Sequence, residues 1–481
     1  MDIKNLINKL KLFIPLILVA GIFLSSCEID ESLNNSPNAI NEDNVVSVEG
    51  LNGVFIGMQV GAFDWYQRDR SRVTSVWTWQ ICGVPGIARG QFLAYNGYQM
   101  NRDGVTDDFF LMAYRTNKLC NDLIKYVPDV EFSDPPEPVQ NTMIGVARTY
   151  KALLFGELAA FYGSIPINIV GLDPTPFVDQ PTAYAEVQNQ LDQAAVLFAN
   201  AGPVARDVNF GGDGVAWTKV VHSLKARYYL HMKDYPNALT HANQGIDSPD
   251  GTLYAKFSDN AGEYSAWGMF KLDEGEPLRP EKNYIALLMR EEGDTRLAEY
   301  YTPGPAAEGE YYGYAIHDEL NTVELESNPD AIARRVKYAS YAESFPLISH
   351  EETVLIRAEA KAQTGDIAGA VADVNIIRNG AGLTNYEGTD KMEVIQEILT
   401  QKHLELFLEG QTWHDIRRLG YFPLAVDLPS SFTGWNYGFD GTKTNLRWIY
   451  PQSEINTNPV NVPDDSDQLV KWLLAPAWGG M

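Results

Sequence analysis

Three cysteines in 481 residues are too few for the disulfide framework that staples small secreted domains. One of them is Cys27, near the start; Cys82 and Cys120 leave room for a single bridge without requiring it, and neither sits in a metal-ligand spacing. Basic charge is also scarce, with 37 Lys and Arg against 63 Asp and Glu and a formal net charge of −26. That balance excludes nucleic acid as a partner, because a phosphate polyanion is held by a basic surface. The seven histidines are scattered, and there is no H-E-x-x-H, no G-x-S-x-G, no phosphate loop and no G-x-G-x-x-G between a strand and a helix. No catalytic residue, metal or cofactor is therefore expected. Long apolar runs are missing too, except one at the amino terminus.

That run is Leu12 to Leu24, preceded by Lys4, Lys9 and Lys11 and followed by Ser25-Ser26-Cys27. It is too short for a membrane span of about 20 residues and has the layout of an export signal. A cysteine directly behind it is the pattern of a lipoprotein signal, so residues 1–26 are expected to be removed and Cys27 to carry the acyl chains of a membrane anchor.

Helical periodicity dominates the rest. In 347–383 a small apolar stripe, Val354, Ala358 and Ala362, is followed by Thr364-Gly365-Asp366 and a second stripe, Ile367, Ala370, Val371, Val374 and Ile377. Gly365 can close one helix in the left-handed region and Asp366 can cap the next. The segment 392–420 repeats the plan, with Ile395, Ile398, Leu399 and Leu406 on one face and Gly410 as the expected stop. Lys233-Asp234-Tyr235, with Ala238 four residues after the Asp, copies the same turn upstream. Helical hairpins built this way resemble tetratricopeptide units. Four are expected, near 143–200, 215–247, 348–379 and 391–419, so the fold class is mainly α.

The strings LIRAEAKAQTGD, DVNIIRNGAGL and ELFLEGQTWHDIRRLG, the GGD loop before AWTKVVHSLKARYYLHM, and LRWIYPQSEINTNP near the end resemble the SusD/RagB outer-membrane lipoproteins. The resemblance implies one SusD-like domain over 27–481, anchored at the cell surface through Cys27. It also implies a SusC-like TonB-dependent transporter as partner and an oligosaccharide, or alternatively a peptide, as ligand. A surface-anchored glycoside hydrolase is the reading from another class. Its best carboxylate pair, Glu405 and Glu409, is expected four apart on one helix face, whereas a glycosidase needs two carboxyls opposed across a bond. These residues, with Glu359, Arg357, Arg378, Arg417 and Arg418, are expected to form ion pairs between repeats.

Between the repeats lie stretches of weak periodicity near 64–98, 248–345 and 421–481, rich in Gly, Pro and aromatics. Long irregular segments in a repeat protein carry function. Flat rings with polar neighbours suit the C–H faces and hydroxyl rims of sugars. The candidate ligand-binding residues are Asp64, Trp65, Trp77, Trp79, Trp267 and Trp435, with the tryptophans expected as exposed stacking rings. The loop from Asp207 to Asp213 has oxygen ligands but lacks the spaced glutamate of a calcium loop, and is read as a loop.

Overall fold

A computed structural model of the protein describes residues 46–96, 100–168, 174–315, 328–419 and 447–465. Cys27 and Trp435 lie outside the described residues. The described chain is mainly helical, and its scaffold is a run of helical hairpins packed side by side.

Two helices precede the hairpins: α1, Val48–Gln67, and α2, Asp69–Trp77. Ser47 caps α1 by accepting a bond from the Gly50 amide at 3.0 Å. Helix α3, Val105–Tyr126, packs on α1 and leads to the first hairpin, α4, Glu137–Tyr162, and α5, Gln180–Phe198. The second hairpin is α6, Gly214–His231, with α7, Tyr235–Ala242. The third is α8, His350–Thr364, with α9, Ile367–Gly380, and the last is α10, Lys391–Glu405, with the short α11, Gln411–Leu419.

The turn chemistry accounts for these boundaries. Gly365 adopts φ 99° at the end of α8, and the Asp366 carboxylate accepts the Gly369 amide at 2.9 Å to start α9. Asp234 caps α7 in the same way through the Asn237 amide at 3.3 Å. Small residues then set how close helices come. A Cβ on Gly156 of α4 would lie 2.2 Å from the Tyr228 ring of α6, so only glycine permits that approach. Ala358, Ala362 and Ala370 are fully buried in the core of the third and fourth hairpins.

Helix α10 stops earlier than its sequence suggests, at Glu405 rather than near Gly410. The reason is tertiary. Ser71 bonds the Leu408 carbonyl, Arg70 donates to the Glu409 carbonyl at 2.8 Å, and the Leu408 amide donates to Gln80 Oε1 at 3.0 Å. Those bonds take backbone groups that a continuing helix would use, and Leu408 is turned to φ 62°. Glu405 and Glu409 therefore do not share a helix face.

Two of the weakly periodic stretches carry regular structure among their described residues. Residues 64–98 include α2 and a strand, Ile81–Gly83, that pairs antiparallel with Leu278–Pro280. Leu253–Ala255 pairs with Phe345–Ile348, which closes both ends of the 248–345 insertion onto the scaffold. Cys82 and Cys120 are both buried and unpaired.

Ion pairs stitch the hairpins together. Arg418 of α11 places its guanidinium on Glu359 of α8 and bonds Asp415, which Lys402 of α10 also reaches at 3.0 Å. Arg357 pairs with Asp373 at 2.8 Å, Arg378 with Glu397 at 2.5 Å and Arg296 with Glu405 at 3.2 Å. The Glu359 pair thus belongs to Arg418. Its neighbour Arg417 is pushed down to about 10, chiefly by burial and also by Arg447 nearby. Burial, with Glu352 close by, holds the Glu409 carboxyl well above the usual range.

Candidate functional site

Trp65, Trp77, Trp79 and Trp267 are core side chains, each at most 1% exposed, and the expectation of exposed stacking rings at these positions is corrected. Trp65 stacks on Phe109 with ring centroids 4.8 Å apart and donates its indole N–H to the Phe109 carbonyl at 2.8 Å. Trp77 packs against Trp413 of α11. Trp79 follows where the chain leaves α2 with φ 60°, which turns it inward as well. Trp267 donates to Ser71 at 3.0 Å and lies under the Arg335 guanidinium. These rings are buried because α1 and α2 are covered on several sides, by α3, α11 and the short helix Ala266–Leu272.

Asp64 stands apart from them. It sits on the last turn of α1 at the rim of a surface cleft of about 540 Å³. Four segments build this cleft. Helix α1 presents Ile56, Val60, Phe63 and Asp64, its end contributes Arg68, the loop before α6 contributes Val208, and the turn 256–264 with Met269 closes the far side.

The lining is tied in place by bonds within the protein. Arg68 donates from Nε and Nη2 to Asp64 Oδ1, at 3.0 and 2.8 Å. Gln59 accepts the Val208 amide at 3.2 Å and donates to the Arg206 carbonyl at 2.9 Å, which fixes the Val208 loop on α1. Asn209 makes two bonds to the Tyr254 backbone, and Lys256 donates to the Val208 carbonyl at 2.7 Å. Across the cleft, Ser258 and Asn260 bond the Glu263 carboxylate and hold it below the usual carboxylate range. Tyr264 stacks on Tyr341, with centroids 4.1 Å apart and planes 21° apart, and Tyr341 donates to Asp273 at 2.5 Å. A part-buried ring with a fixed orientation, a surface ion pair and a preformed apolar lining can bind a small neutral molecule without rearrangement.

Of the cleft residues the candidate set held only Asp64; Arg68, Lys256, Glu263 and Tyr264 are among those it omitted. Tyr264 is visible in the sequence as one of the aromatics of the insertion, but nothing in its spacing separates it from the buried rings. A wider groove of about 770 Å³ runs along the outer face of α9 and the loop 385–389. Its Asn375 is committed to the Tyr386 backbone through bonds of 3.0 and 2.7 Å, which makes it a clamp for that loop.

Metal chemistry finds no cluster of three or more His, Cys, Asp or Glu side chains among the described residues. Asp207 is engaged by protein donors: Gly212 and Trp217 reach Oδ2 at 2.8 and 2.7 Å, while Asn209 and Phe210 reach Oδ1. No helix of the described residues is long and apolar enough to cross a membrane.

Residues 87–451 match the SusD-like family described as starch-binding and associating with the outer membrane. The chain belongs to the SusD-like family. Solved structures agree on the fold. A SusD/RagB family protein from Bacteroides thetaiotaomicron is 17% identical, with a TM-score of 0.66 over 89% of this chain and 98% of that one. A SusD homolog from Bacteroides fragilis is 18% identical, with a TM-score of 0.68 over 87% and 99%. A chitin-binding SusD homolog from Flavobacterium johnsoniae is 14% identical, with a TM-score of 0.68 over 89% and 99%. No curated protein matches the chain. SusD-like proteins are binding proteins that associate with the outer membrane.

Proposed function

We propose that this SusD-like protein is a surface lipoprotein that captures an oligosaccharide in the Asp64–Tyr264 cleft and passes it to a SusC-like TonB-dependent transporter. The observation that carries the reading is the cleft itself, whose lining holds a stacked, part-buried tyrosine together with an aspartate and arginine already tied to each other. Stacking rings and fixed polar groups are what a sugar's apolar face and hydroxyl rim require. A net charge of −26 favours a neutral ligand over an anionic one. The family's description as starch-binding and the chitin-binding relative support a glycan over a peptide. Capture without chemistry also fits Glu405, whose carboxylate is paired with Arg296.

Anchoring is assigned to Cys27. Membrane fractionation of the exported protein tests it, with Cys27→Ser expected in the soluble fraction. Titration against a panel of neutral glycans and peptides tests capture. Glycan binding that weakens in Asp64→Asn and Tyr264→Ala supports the reading, and binding of peptides alone contradicts it. Co-purification with a TonB-dependent transporter from the source cells tests delivery.

A further inference from the structure

Two valines of the cleft are exposed and available to a ligand: Val60 is 53% exposed and Val208 is 40% exposed. They stand on different segments, α1 and the loop before α6, and both segments are fixed, by helix packing and by the Gln59 and Asn209 bonds. Phe257 and Met269 continue the apolar lining. A sugar hydroxyl set against these side chains would lose water and gain no partner. A methyl group set there gains by burial.

The polar side of the same cleft has complementary features. Both Arg68 bonds fall on Asp64 Oδ1, so Oδ2 keeps its capacity to accept. The guanidinium, part-exposed, keeps N–H groups beyond the two already used. An amide needs one acceptor for its N–H and one donor for its C=O, and the Asp64–Arg68 pair supplies both.

We propose that the cleft recognises an acetamido sugar, with the N-acetyl methyl between Val60 and Val208, the amide against Asp64 and Arg68, and the sugar ring on Tyr264. The proposal rests on the capture reading and adds the ligand's class. It makes Val60 and Val208 specificity-determining residues, distinct from the polar groups that any sugar would use.

Two neutral β-1,4-linked tetrasaccharides separate the acetamido group from the sugar backbone. They are fully N-acetylated chitotetraose and cellotetraose, which carries hydroxyls in place of the acetamido groups. Calorimetric titration of the full mature protein should show the N-acetylated ligand binding at least about fourfold tighter, the value of one buried methyl. In Val60→Ser/Val208→Ser that preference should disappear while the melting temperature stays put, because both side chains are at the surface. Equal affinity for the two ligands, a preference that survives the double substitution, or binding of neither overturns the assignment. A wider glycan panel tells the two levels apart. If another glycan binds and Tyr264→Ala weakens it, capture stands and the acetamido assignment alone falls; if no glycan binds, both fall.

Discussion

Arg227 of α6 lays its guanidinium flat against Glu352 of α8, donating from Nε to Oε1 at 2.6 Å and from Nη2 to Oε2 at 2.5 Å. Both side chains are about 1% exposed, so this two-pronged pair is buried between the second and third hairpins. The same arginine donates to the Leu347 carbonyl at 2.6 Å and to the Tyr66 hydroxyl at 3.2 Å, which links α1 to the contact. Removing the charge of Glu352 leaves a buried guanidinium with Glu157 at 3.6 Å as its remaining carboxylate. Glu352→Gln should therefore cost about 3–5 kcal/mol, read as a lower urea midpoint with ligand affinity at the surface cleft unchanged.

Close helix contact makes a second prediction. Ala358→Leu adds three carbons where α8 meets its neighbours in a filled core, and overpacking of this kind costs about 1–3 kcal/mol. Gly156→Ala should be of similar size, because its Cβ would meet the Tyr228 ring. Thermal melting of the two variants checks both, and an unchanged midpoint would place the helices further apart.

The buried tryptophans are expected to report on folding. Trp267→Ala removes a ring that is 1% exposed and leaves the Ser71 hydroxyl without that donor. A loss of about 3–5 kcal/mol is expected, from cavity formation. If Trp267→Ala melts with the parent and loses ligand affinity, the ring belongs to the binding surface.

Acid sensitivity follows from buried histidines. Burial pushes His403 down to about 3 and His414 down to about 4, the latter against the pull of Glu157. In the unfolded chain a histidine titrates near 6.5, as a general rule. Between those values the unfolded state binds protons that the folded state does not, so this contribution is complete above pH 6.5 and is lost as pH falls toward 4. Paired carboxylates such as Glu157, whose folded value is depressed by Arg70 and His414 despite burial, lose their contribution below this window. Urea midpoints measured from pH 7 to pH 5 should fall, and fall less steeply in His414→Gln, whose amide can keep the Glu157 bond. An unchanged slope in that variant would remove His414 from the account.

The hairpins are legible in the sequence because their determinants are local. Gly365 and Asp366 mark a turn, and the Val354, Ala358, Ala362 stripe marks a face, whatever the rest of the chain does. The end of α10 is not legible, since Arg70, Ser71 and Gln80, more than 300 positions away, take the backbone groups of residues 408 and 409. The tryptophans are misread for a related reason. Trp77 and Trp79 are two apart, which is not the spacing of a helix face, and the contact of Trp77 with α11 and the left-handed turn at Trp79 are set by the folded chain. Asp64 lies at the cleft, but Val208 and Tyr264, which line it too, come from segments that meet α1 only in the folded chain.

Affinity of Tyr264→Ala for a neutral glycan bound by the parent tests the central claim most directly. Tyr264 is part-buried at the surface and stacked on Tyr341, so its removal should lower the melting temperature only slightly. The account predicts calorimetric binding weaker by about 1–2 kcal/mol, roughly 5- to 30-fold, as expected when a stacking ring is truncated. Unchanged affinity in a folded Tyr264→Ala protein would contradict it and put the capture site elsewhere.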